Sequence, residues 1–176
     1  MTIVRVSAEP AKAGRTKPNS LARLAVVAGS AMSLLTSFMI SSATAQSIPK
    51  EAVLTLPDKL VWKTNPRTVG TEIADIIGDS TKAGPFIQRV KFPANYKMAA
   101  HTHPEDRTYT VISGMWYVGY GDHFDESKLV ALPPGSFYVE PANVPHFAMT
   151  KGDDVVYQLT GTGPSATIYV EPPFRK

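Results

Sequence analysis

Four histidines stand in the chain, His101, His103, His123 and His146. His101 and His103 are separated by one residue. On a strand, positions i and i+2 point to the same face, and two imidazoles on one face can share a cation, neutral imidazole being the commonest metal ligand. The same spacing also suits two histidines on a surface or in a core, so the pair alone leaves both readings open. His123 lies in Gly121-Asp122-His123-Phe124-Asp125, a turn-like stretch expected at the surface. The chain has no cysteine, which excludes disulfides, thiolate ligands and a cysteine nucleophile. Ser136 has no Gly-x-Ser-x-Gly context, and neither a phosphate loop nor a dinucleotide fingerprint occurs.

The elements that must carry these residues read as short strands. After Ala45 the chain holds 10 of its 12 glycines and 13 of its 15 prolines. Between them lie runs rich in β-branched and aromatic residues: Phe86–Phe92, Tyr109–Ile112, Met115–Tyr120, Ser136–Glu140, Val155–Thr160 and Ala166–Val170. Such runs, bounded by turn residues at short intervals, predict an all-β sandwich or barrel. Thr71–Ile77 suits a strand or a helical turn, and Lys128–Leu132 a strand or a loop.

Two stretches give the histidines a context. The first runs from Pro93-Ala94-Asn95 through His101-Thr102-His103-Pro104-Glu105-Asp106-Arg107 to Gly114. The second is Gly135-Ser136-Phe137-Tyr138-Val139-Glu140-Pro141-Ala142-Asn143-Val144-Pro145-His146. In these stretches the chain resembles the cupin superfamily, whose motifs are G-x5-H-x-H-x3,4-E-x6-G and G-x5-P-x-G-x2-H-x3-N. His101, His103 and Gly114 match the first motif; Gly135, Pro141 and His146 match the second. The resemblance spans roughly residues 86–170. It implies a jelly-roll barrel, an architecture that can hold a ligand in its mouth, with His101, His103 and His146 around a divalent metal such as Fe, Mn, Zn, Ni or Cu.

The departures are informative. Arg107, or at the alternative spacing Thr108, stands where the family has a glutamate ligand. Asn95 stands at the first glycine, Asn143 at the glycine of P-x-G, and Thr150 at the terminal Asn. Asn and Gly both tolerate left-handed backbone, so the Asn143 exchange is mild. Arg107 carries a permanent charge. Facing inward, it calls for an anion between itself and the metal, such as a carboxylate held in a bidentate clamp; facing outward, it is a solvated loop charge. Glu105 and Asp106 either replace the lost carboxylate or are loop charges themselves. Gln158, polar between apolar neighbours, either faces the interior as a partner of a bound ligand or points out of its strand. Arg107 and Gln158 are thus the candidate catalytic residues. The resemblance implies a metal-dependent dioxygenase-like oxidoreductase or an isomerase acting on a small organic substrate; the alternative is a cupin that binds a small molecule without chemistry.

Residues 1–45 read as a signal peptide. They hold five of the 18 Lys/Arg and one of the 15 Asp/Glu. A charge-free apolar run from Leu24 to Ile40 follows Arg23, and Ala43-Thr44-Ala45 forms an A-x-A cleavage site. Charged, apolar and small-residue regions in that order mark a secretory leader. Seventeen residues interrupted by Ser and Thr are short for a membrane span of about 20. The expected domain is then 46–176, one cupin barrel, exported to the periplasm or secreted. Its 13 basic and 14 acidic residues place the basic pI in the leader, against nucleic-acid binding, which needs a basic face on the folded domain. The expected partners are a small-molecule ligand, anionic if Arg107 faces inward, and a second copy in a homodimer, without stable membrane insertion after cleavage.

Overall fold

A computed structural model describes residues 46–174. The expected signal peptide, 1–45, lies outside the described residues. Among the described residues eleven strands form: β1 (Lys63–Thr64), β2 (Glu72–Ile77), β3 (Gly84–Phe92), β4 (Lys97–Thr102), β5 (Arg107–Ser113), β6 (Trp116–Tyr120), β7 (Val130–Leu132), β8 (Phe137–Glu140), β9 (His146–Met149), β10 (Val155–Gly163) and β11 (Ile168–Tyr169). One sheet has the order β1-β2-β3-β10-β5-β8, the other β11-β4-β9-β6-β7. Every pairing is antiparallel. The result is the expected all-β architecture, a cupin-like sandwich of two antiparallel sheets.

In the six-stranded sheet, sequence alternation decides which face is inside. Along β3 every second residue, Phe86, Gln88, Val90 and Phe92, is buried, and along β10 so are Val155, Tyr157 and Leu159. A period of two is what one packed face of a pleated strand requires. These side chains meet Trp116 from the opposite sheet, its ring 4.8 Å from Phe92 and 5.3 Å from Tyr157. The Trp116 indole donates to the Tyr138 hydroxyl at 2.8 Å, so its polar edge is satisfied where it is buried. Thr71–Ile77 resolves into strand β2, and Lys128–Leu132 into the end of a 3-10 turn followed by β7.

β4 and β9 are buried along nearly their whole length, which removes the alternation by which a strand is read. One side of β9 carries His146 inward; behind it Phe147 packs against Phe124 at 5.3 Å, and Phe124 against Phe174 at 5.3 Å. Turns hold these strands in place. Asn95 and Asn143 have φ of 57° and 60°, so both exchanges occur where left-handed backbone is needed. The Asn143 amide donates to the His103 carbonyl at 2.7 Å, joining the two motifs. Thr150 is fully buried; its hydroxyl donates to the Pro93 carbonyl at 2.6 Å and accepts from the Tyr96 amide at 2.9 Å. It thus clamps the turn that begins β4. Gly114 has φ of 74°, and a Cβ there would collide with the Asp154 carbonyl.

Candidate metal centre

His101 on β4, His103 just beyond it and His146 at the start of β9 point into the space between the sheets. Cross-strand pairing sets His101 directly opposite His146. All three are at most 3% exposed, and one nitrogen from each lies within 4.8 Å of the other two. The sequence pairing of His101 with His103 and the tertiary arrival of His146 therefore converge on one point. His123 is outside the cluster, its side chain 78% exposed beside Glu171.

Each ring is oriented by the backbone. Nδ1 of His101 donates to the Ala99 carbonyl at 2.8 Å, Nδ1 of His103 to Ala166 at 2.7 Å, and Nδ1 of His146 to Val144 at 3.0 Å. With the Nδ1 proton committed, the Nε2 lone pair is turned inward, the arrangement by which a backbone carbonyl prepares a histidine ligand. Burial drives the His101 ring down to about 3, with His146 adding to the effect. Burial and then the Arg107 charge drive His103 down to about 2. Both rings stay neutral, as metal ligation requires.

A carboxylate stands beside two of the three rings, on a strand where the first motif offers none. Glu140, at the end of β8, is 4% exposed. Its Oε2 lies 3.2 Å from His146 Nε2 and 3.6 Å from His103 Nε2. Burial pushes its carboxyl up, but pairing with His146, when that ring carries a proton on Nε2, outweighs this and holds the carboxyl at about 2. Yet Glu140 Oε2 and His146 Nε2 are both buried without a hydrogen-bond partner. Two lone pairs in contact, away from water, are costly. A proton on Nε2, or a divalent cation between the two atoms, would satisfy both. Three imidazoles suit Zn, Fe, Mn, Ni or Cu better than Ca or Mg, which prefer oxygen throughout.

Glu140 was legible in principle. It stands two residues after the inward Tyr138 and immediately before Pro141 of the second motif. Only the β5–β8 register, which pairs Tyr109 with Tyr138 and Arg107 with Glu140, shows that it reaches the histidines.

Of the two readings of Arg107, the inward one holds. The residue is 6% exposed. Its Nη1 donates to His103 Nε2 at 3.0 Å, its Nη2 to the Ser165 hydroxyl at 2.5 Å, and its Nε to Glu105 at 2.6 Å. Glu105 is accordingly a buried counter-ion of Arg107 and not a free loop charge. Asp106 remains at the surface, accepting from the Ala142 amide at 2.7 Å. Neither supplies the missing ligand. Gln158 requires a correction: it lies on the outer side of β10, between inward Tyr157 and Leu159, where it accepts from Arg89 Nε at 3.4 Å. The two-residue period leaves it no access to the cavity. Arg67, which the sequence did not single out, does line the cavity, together with Asn65, Tyr109 and Trp116.

No protein-family model matches the chain, and the curated proteins give no match. Solved structures do. The polyketide cyclase RemF from Streptomyces resistomycificus aligns with a TM-score of 0.58 at 13% identity, over 69% of this chain and 87% of that one. An RmlC-like cupin from Ralstonia eutropha gives 0.52 at 19% identity, over 66% and 72% of the two chains. A second RmlC-like cupin, from Shewanella frigidimarina, gives 0.50 at 13% identity, over 64% and 91%. The chain has the cupin fold. Within that fold three buried histidines can hold a metal, and Glu140 of β8 stands beside two of them.

Proposed function

We propose that this cupin is an exported, metal-dependent enzyme that carries out dioxygenase-like oxidation or isomerisation of a small organic substrate. The observation that carries the reading is the contact of His146 Nε2 with Glu140 Oε2, two buried acceptors that lack any hydrogen-bond donor. His101, His103 and His146 would hold the ion, with Glu140 as a fourth ligand. A bound divalent ion would polarise a carbonyl or enol oxygen of the substrate, and a redox-active one would also exchange electrons with it.

The remaining steps belong to side chains. Glu140, ionised and acceptor-only, would offset the ion's charge as its fourth ligand. Arg107 fixes the His103 side of the cavity and supplies positive charge for a developing oxyanion. Ile73, Val90, Met98 and Leu159 form an apolar wall that keeps water from the reacting atoms. The reading is supported for export by the charge order and Ala43-Thr44-Ala45 site of the leader.

Elemental analysis of protein purified from its own compartment, joined to turnover of small enolisable carbonyl compounds, tests the reading. Oxidation consumes O2; isomerisation exchanges substrate hydrogen for solvent deuterium without it. Turnover is expected to vanish on chelation and return with metal. Activity indifferent to chelation, or protein without metal, defeats the proposal.

A further inference from the structure

The cavity lining holds two arginines and a single acid. Arg107 reaches it from β5 and Arg67 from the turn before β2; Glu140 is the only acidic residue among the lining side chains. The turn that presents Arg67 is built for the purpose: the Arg67 amide donates to Asn65 Oδ1 at 3.0 Å, and the Thr71 amide to the Thr68 carbonyl at 3.2 Å. Asn65, Thr68 and Thr71 are all buried.

The two guanidinium groups converge on one hydroxyl. Ser165 Oγ accepts from Arg107 Nη2 at 2.5 Å and from Arg67 Nη1 at 3.4 Å. The second arm of Arg67 donates to Ser80 Oγ. Burial and the charge of Arg107 both disfavour the Arg67 cation, so the pair is held together against its own repulsion. Nearby carboxylates are already engaged. Glu105 accepts from Arg107 Nε, and Asp75 accepts from Lys63 and from Gln88. Without metal, Arg67 and Arg107 are balanced by Glu105 and Glu140. A divalent ion on the histidines leaves two positive charges uncompensated in a partly buried cavity, which draws in an anion.

We infer that the substrate binds through a small carboxylate group, clamped between Arg67 and Arg107 beside the metal position in a cavity of about 30 Å³. This deepens, and rests on, the metal-enzyme reading. The guanidinium fork matches a carboxylate in two-point contact, which a lysine or a neutral donor would not reproduce.

The test uses formate and acetate, each against its neutral amide, with binding measured by calorimetry on metal-free and zinc-loaded protein. In the zinc-loaded protein each carboxylate is expected to bind at least about tenfold more tightly than its amide. Arg67→Gln is expected to remove that preference while zinc affinity stays within about twofold of the parent, since Arg67 makes no contact with the histidines. Carboxylates that bind no better than amides overturn the clamp. So does a preference that survives Arg67→Gln, because the metal alone would then be holding the anion. Should Arg67→Gln fail to fold, Arg67→Lys keeps the charge without the fork and is expected to weaken carboxylates about threefold or more; an unchanged affinity overturns the inference. If zinc does not bind, the metal reading fails separately. In the metal-free protein, where Glu105 and Glu140 balance the two arginines, the carboxylate preference is expected to shrink several-fold; an equal preference there overturns the charge argument.

Discussion

Arg107 and Glu140 are cross-strand partners, one on β5 and the other on β8. The cation that occupies the first motif's glutamate position therefore stands beside a carboxylate supplied by the second motif. One side chain donates to His103 Nε2 and the other faces His146 Nε2. Two opposite charges thus address the same three-histidine cluster from adjacent strands, and they have opposite consequences for a metal.

Removing the carboxylate should weaken the site. Glu140→Gln keeps the shape and takes away the charge that offsets a divalent ion. Zinc affinity, read by competition with a chromogenic chelator, is expected to fall roughly 10–100-fold, the range seen when partners of metal ligands are lost. An unchanged affinity would mean that Glu140 does not sense the ion.

Removing the cation should do the reverse. Arg107 holds the His103 lone pair with a hydrogen bond that a metal must displace, and it repels the ion. Arg107→Gln is expected to tighten zinc by about tenfold or more. It should also cost about 3–5 kcal/mol of stability, because Glu105 is left buried without its partner. Chelator competition and urea denaturation read the two effects separately. Weaker zinc binding in a folded Arg107→Gln protein would contradict the arrangement.

Replacing His101 and His103 together by Ala should abolish metal binding and leave the sheets intact. The core is held by Phe86, Phe92, Trp116, Val111 and Val155, none of which depends on the ion. Far-UV circular dichroism should stay unchanged while metal content falls to background. A collapse of both would make the metal structural. His123→Ala, at an exposed position, should leave metal content as it was.

Export makes a separate expectation. N-terminal sequencing of protein recovered outside the cytoplasm should begin near Gln46. A recovered chain that still carries Leu24–Ile40 would mean an anchor in place of a cleaved leader.

The sequence by itself determined the class of fold, through Gly/Pro punctuation and the two-residue alternation of β3, β5 and β10. It also determined the histidine cluster, because the motif spacing carries His101, His103 and His146 to corresponding places. It even marked the left-handed turns, since Asn95 and Asn143 are residues that tolerate positive φ. It missed β4 and β9 as strands because both faces of each are covered, so no alternation remains to be read. What tertiary structure decided was the direction of single polar side chains. Gln158 and Glu140 each follow an apolar or aromatic residue in a short strand, and only the inward direction of Tyr157 and Tyr138 tells that Gln158 points out and Glu140 in. Arg107 and Arg67 are 40 positions apart and come from different elements. Their meeting at Ser165 depends on strand register and on a turn. Local composition cannot fix that relationship, because a one-residue slip sends every side chain to the other face.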